Sequence, residues 1–153
     1  MGITLYVMRH GHAVNKASSD AERPLSANGE IEVRKAAHKL EGLQPDLFIA
    51  SPYLRAQQTA RILKEAAAIP TDITTEEGIT PDDHPQGVVR MLADLEAVGS
   101  ILMVSHNPLV SALVSLLVDG DLQGGYAMGT ASVACIEFDE ILGVGQGRLQ
   151  WLS

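Results

Sequence analysis

The sequence predicts an α/β protein of three layers, a mainly parallel central sheet with helices on both faces. Three observations point there. Short apolar runs alternate along the chain with segments of helical periodicity. Cap-like residues, two of them followed by proline, mark where the chain restarts after an apolar run. At 153 residues, 46% of them hydrophobic, the chain is long enough to bury a core and reads as a single domain over 1–153.

Residues 3–9 read as a buried strand, apolar and β-branched at its start, and 11–25 as polar and irregular. Ser26 is a candidate N-cap for a helix in which Ile31, Ala36, Ala37 and Leu40 recur at helical spacing, ended by Gly42. "DLFIA" (46–50) is a second strand. Ser51 and Pro52 have the form of an N-cap and first helical residue, opening a helix to about Ala67. A short strand over 71–75 and a helix over 85–97 follow, then a strand over 100–105. Asn107 and Pro108 repeat the cap-then-proline pattern before a helix to about Val118. "ASVACIEFD" and "GRLQWLS" are closing strands, joined by the glycine-rich turn 143–147 and suited to an antiparallel hairpin or edge.

Composition excludes several function classes. The formal net charge is −8 and no basic block interrupts it, so neither nucleic acid nor an anionic membrane is an expected partner. The apolar stretch 101–118 has the length of a short membrane span, but Ser105, His106, Asn107 and Pro108 break it into strand, turn and helix. Cys135 is the single cysteine, which rules out an internal disulfide and suits a cytoplasmic location. The run Ile3–Met8 has no basic segment before it, so no signal peptide is expected.

Three polar clusters sit at strand ends. Arg9 and His10 follow the first strand, Ser51 to Arg55 the second, and Ser105 with His106 the fourth. Open parallel sheets bind ligands beyond the carboxyl ends of their strands. The topology therefore delivers two guanidiniums and two imidazoles to one sheet edge, with helix starts whose free N–H groups attract anions. Without a matching acid, that set suits a dianion, most simply a phosphoryl group. The guanidinium fork donates paired hydrogen bonds to phosphate, and an imidazole nitrogen among the donors can attack phosphorus.

"RHGHA", "RPLSANG", "SPYLRAQQTA" and "VSHNPLV", in that order, resemble the histidine phosphatase superfamily, whose fold is also called phosphoglycerate mutase-like. The short chain and the "SDAERPLS" loop most resemble its small SixA-type phosphohistidine phosphatases. The resemblance implies His10 as the nucleophile that becomes phosphorylated, Arg9 and Arg55 as clamps on the phosphoryl oxygens, and His106 as a donor that steadies charge in the transition state. It implies no metal or other cofactor. Its substrate would be phosphohistidine on a protein, with a small phosphate ester as the alternative.

Two departures from the family pattern bear on substrate. Where mutases carry a phosphate-binding asparagine six positions after the nucleophile, this chain has Lys16, with Asn15 one position short. Larger members carry an acid that protonates a leaving alcohol. Glu76, Glu77, Asp82 and Asp83 lie near the third strand, but none falls in a matching motif. An imidazole leaves far more easily than an alkoxide, so a chain without that acid suits a phosphoramidate.

Other residues have plainer readings. Arg23 either contacts the outer part of the substrate or pairs with Asp20. His12 has no ligand-spaced partner for a metal and is expected to face solvent, as are His38 and His84. Cys135 alternates with apolar residues and reads as packing. A phosphate-binding module without turnover is the rival from another class, and the intact nucleophile His10 argues against it.

Overall fold

The computed structural model describes residues 2–95 and 99–153. Its sheet contains six strands: β1 (Ile3–Arg9), β2 (Leu47–Ala50), β3 (Ile73–Thr75), β4 (Ser100–Ser105), β5 (Val133–Phe138) and β6 (Arg148–Leu152), in spatial order β3-β2-β4-β1-β5-β6. The four strands from β3 to β1 pair in parallel. β5 runs antiparallel to β1 and β6 antiparallel to β5, so the closing hairpin forms the edge. The helices are α1 (Ala27–Ala37), α2 (Leu54–Ala66), α3 (Pro85–Asp94) and α4 (Leu109–Asp119).

Alternation along the strands divides the core in two. Ile101 and Met103 of β4, with Leu5 and Val7 of β1, pack beneath α3 and α4. Leu102 and Val104, with Met8 and Phe48, pack beneath α1 and α2. Successive strand residues point to opposite faces, so a sheet covered on both sides needs apolar residues at every position. β4, buried from Ile101 to Ser105, is such a strand. Among the described residues no helix is long and apolar enough to cross a membrane.

The structure corrects four expectations. Ile31 is 52% exposed. The buried face of α1 is Gly29, Val33, Ala36 and Ala37, and Ile31, two residues from Val33, points the other way round the helix. Ser51 is not an N-cap: α2 begins at Leu54 with Tyr53 in the cap position, and the Ser51 hydroxyl instead bonds His106 and the Tyr53 N–H ahead of the helix. Asn107 is likewise outside the cap position, which Pro108 occupies, although the Asn107 side chain still accepts from the Ser111 N–H and hydroxyl. The third helix ends at Asp94 with Leu95 as its cap, short of the expected end at 97, and residues 96–97 of that span lie outside the described residues.

Gly29 and Gly11 are where α1 meets the loop after β1. A Cβ on Gly29 would lie 2.0 Å from the His12 carbonyl oxygen, and one on Gly11 would lie 2.8 Å from that of Gly29. The small residue after His10 therefore makes room for α1, and through it the helix backbone braces the loop.

Candidate active site

His10 follows the last residue of β1, and its backbone is tied on two sides. Its N–H donates to the Ser105 carbonyl at 3.0 Å and its carbonyl accepts from the Ala131 N–H at 3.0 Å. The ring is 7% exposed. Nδ1 lies 2.6 Å from the Gly11 carbonyl oxygen. A carbonyl only accepts, so Nδ1 carries the proton and Nε2 keeps its lone pair. Gly11 in turn donates its N–H to Thr59 Oγ1 at 3.1 Å, and Thr59 donates to the Arg55 carbonyl at 2.7 Å. This side chain of α2 thus links the loop after β1 to the arginine one turn earlier.

Arg55 sits in the first turn of α2, 4% exposed. Its Nε donates to His10 Nε2 at 3.2 Å. Its Nη1 donates to the Asp20 carbonyl at 2.7 Å, and its Nη2 pairs with the Asp20 carboxylate at 3.2 Å. The guanidinium carbon lies 5.1 Å from the Tyr53 ring centre, and the Tyr53 ring meets His106 edge-on at 4.9 Å. Stacking and hydrogen bonds together hold the guanidinium plane.

His106 follows β4 as His10 follows β1, and parallel pairing of these strands, with Arg9 opposite Ser105, brings the two rings to 5.0 Å. His106 is 1% exposed and its Nε2 lies 2.7 Å from Ser51 Oγ. Arg9 donates through Nη1 to the Met128 carbonyl at 3.1 Å. Among the described residues, two buried side-chain polar atoms lack a partner: Arg9 Nε and His106 Nδ1. Unpaired buried polar atoms are rare in folded proteins, and both belong to residues that the sequence assigns to one site. An oxyanion would satisfy them.

The electrostatics agree. Burial, with the charges of Arg55, Arg9 and Arg23, pushes the pKa of His10 down to about 4 against the bond to Gly11. Burial first, then His10 and the arginines, pushes that of His106 down to about 3. Both rings are therefore neutral near pH 7. Burial and Arg55 also lower the pKa of Arg9, while Glu32 opposes them. A cationic pocket with a neutral imidazole can bind a phosphoryl dianion and attack it.

These shifts have a consequence for stability. The unfolded chain takes up protons at His10 and His106 near the reference value of ~6.5, while in the folded chain these two rings stay neutral there. The unfolded state then binds more protons, so stability falls as pH drops from about 6.5 towards the folded values of about 4 and 3. We expect the urea midpoint to decline across that interval, with a shallower slope in His106→Gln. An equal slope in the variant would contradict the neutral burial of this ring.

The remaining candidates are placed as follows. Arg23 pairs with Asp20 at 2.9 Å and donates through Nε to the Val14 carbonyl at 2.7 Å. With Asn15, Ala17, Ser19 and Asp20 it lines a polar cavity of about 360 Å³. His12 is exposed and bonds Ser26 Oγ at 2.8 Å, and His38 and His84 are exposed as well. Cys135 is buried in β5. Glu76 caps its own turn by accepting from the Gly78 N–H, and Asp83 accepts from both the N–H and the hydroxyl of Thr80.

Asp20, which the sequence suggests only as a partner for Arg23, bridges Arg23 and Arg55. The hydrogen bond from Arg23, with the bond and charge of Arg55, holds its carboxyl below the ordinary value despite some desolvation. The local signal was an acid three residues before an arginine in a loop rich in small polar residues. Thr59 carried a signal too, as a hydroxyl four residues after Arg55 on the buried face of a helix.

The family model for the histidine phosphatase superfamily (branch 1) matches residues 5–81. The phosphohistidine phosphatase SixA of Escherichia coli (strain K12) is 34% identical over 151 residues, covering 96% of this chain and 91% of the relative. A SixA homolog of Haemophilus influenzae is 34% identical over 126 residues, covering 75% of this chain and 77% of the relative. A solved structure of the protein histidine phosphatase SixA complexed with tungstate superposes with a TM-score of 0.87 at 33% identity, covering 98% of this chain and 96% of the other.

Proposed function

Because the chain belongs to the histidine phosphatase superfamily, we propose that it hydrolyses phosphohistidine on a protein through a phosphorylated His10, without a metal. The observation that carries this reading is the state of His10: its Nδ1–H is committed to Gly11, and its Nε2 lone pair faces Arg55.

In the first step His10 Nε2 attacks phosphorus, and the bond from phosphorus to the substrate imidazole breaks. The electron pair of that bond goes to the departing ring, which takes a proton from solvent. Arg9, Arg55 and His106 hold the three phosphoryl oxygens, and Arg55 Nε exchanges its bond to His10 for one of them. In the second step water attacks phosphorus, the P–Nε2 bond breaks, and phosphate leaves. Phosphoryl transfer depends mainly on positioning and charge neutralisation, which this cage supplies. Arg23 and Asp20 border the cavity on which the partner's surface around its phosphohistidine would rest. We place this activity in the cytoplasm, a reading supported by a single, buried cysteine.

Two measurements test the reading. A panel of phosphohistidine protein, sugar phosphates and aryl phosphates, assayed with chelator present, should show preferred turnover of phosphohistidine. Tungstate soaked into crystals should lie within hydrogen-bond reach of Arg9, His10, Arg55 and His106. An oxyanion bound elsewhere, with these four side chains unoccupied, would refute the shared site.

A further inference from the structure

We propose that Ser51 is a positioning residue that fixes the tautomer of His106, so that the proton sits on Nδ1 and this atom donates to the phosphoryl group. The assignment rests on the phosphatase reading above for its catalytic consequence, and on geometry for the tautomer.

Ser51 is fully buried. A hydroxyl has one proton and two lone pairs. One lone pair of Ser51 Oγ accepts from the Tyr53 N–H at 3.3 Å. Among the described residues the hydroxyl proton has one acceptor within reach, His106 Nε2 at 2.7 Å. If Nε2–H donated to Oγ instead, the hydroxyl proton would be left unpaired at a buried position. The opposite ring atom, Nδ1, would then present a lone pair to the phosphoryl oxygens and repel them. With Ser51 as donor, both faults vanish. Nε2 accepts, and Nδ1 becomes an N–H without a partner, which is the buried orphan seen in the structure. A neutral ring has a single proton, so one bond at Nε2 decides what Nδ1 can do.

The neighbours hold this arrangement in place. The Tyr53 ring packs edge-on against His106, restricting its rotation. The Ser51 carbonyl accepts from Gln57 Nε2 at 2.8 Å and its N–H donates to the Val104 carbonyl at 3.0 Å, so the hydroxyl is fixed at both ends of its residue. The serine in the turn after β2 thus has a purpose other than starting a helix.

The test uses full-length protein labelled with ¹⁵N-histidine, with the His106 signals assigned by their loss in His106→Gln. Long-range ¹H–¹⁵N spectra near pH 7 should show His106 as the Nδ1–H form. In Ser51→Ala that form should give way to Nε2–H or to a mixture, and tungstate affinity should weaken. The turnover number for phosphohistidine should fall about 10–100-fold, less than the ~10⁴-fold known for loss of a charged orienting group on a catalytic histidine, with KM changing little. Ser51→Thr keeps the hydroxyl and should restore the Nδ1–H form and most of the turnover. A wild-type spectrum showing Nε2–H overturns the proposal even if Ser51→Ala fails to fold, and so does a folded Ser51→Ala protein with unchanged tautomer and turnover. If no variant cleaves phosphohistidine but the tautomer and tungstate affinity still follow the Ser51 hydroxyl, the tautomer assignment stands and the phosphatase reading falls.

Discussion

Replacing His10 by alanine should abolish turnover, and base-quenched reactions with labelled substrate should lose the protein-bound label that the wild type carries on this residue. The reason is positional. His10 Nε2 is the ring nitrogen that keeps a lone pair towards Arg55 and can exchange that bond for one to phosphorus, since its Nδ1 is committed to Gly11 and the buried His106 has Nε2 against Ser51. No other side chain among the described residues replaces it. Cys135 is buried in β5, and the nearby carboxylate, Asp20, is held by two arginines. Arg55→Ala should lower turnover by about 10²–10³-fold, by analogy with a lost oxyanion donor. His12→Ala is the control: its ring, two residues away, is exposed and bonds Ser26 rather than the site. Near-native activity in His10→Ala would end the covalent mechanism, and label retained in that variant would move the nucleophile elsewhere.

Phosphohistidine should be cleaved far faster than an alkyl phosphate, with activated aryl phosphates between. A positioned general acid contributes typically ~10²–10⁴-fold to expelling a poor leaving group. This site offers no such acid among the described residues. The carboxyl of Asp20 bonds Arg55 beside His10, and its two arginine partners keep it ionised. Glu76 and Asp83 are engaged in their own turns, and Glu77 and Asp82 are exposed. An alkoxide would have to leave without a proton, whereas imidazole, protonated near ~6.5, does not need one from the enzyme. Changing Glu76, Glu77, Asp82 or Asp83 to the matching amide should therefore leave phosphohistidine cleavage nearly unchanged. Good turnover of alkyl esters, lost by orders of magnitude in one of these amides, would make the chain an ordinary phosphomonoesterase.

The order of strands and helices, and the gathering of Arg9, His10, Arg55 and His106 at the strand ends, are legible in the sequence alone. Both are local. Apolar runs and helical spacing identify each element within a short window, and Arg9, His10, Arg55 and His106 each lie just after an apolar run that a parallel sheet must align. What the sequence could not decide were pairings between segments far apart in the chain. Ser51 looks like a helix cap until β2 and β4 lie side by side and bring His106 to its hydroxyl. Asp20 looks like the partner of Arg23 until the loop folds over α2 and meets Arg55. Ile31 fits a helical stripe as well as Val33 does. The buried face was chosen by where α1 meets the His10 loop, at Gly29 and Gly11, which leave no space for another atom. Each of these depends on the strand order β3-β2-β4-β1-β5-β6, because that order sets which loops become neighbours. No window of sequence contains it: it results from burying both faces of the sheet at once.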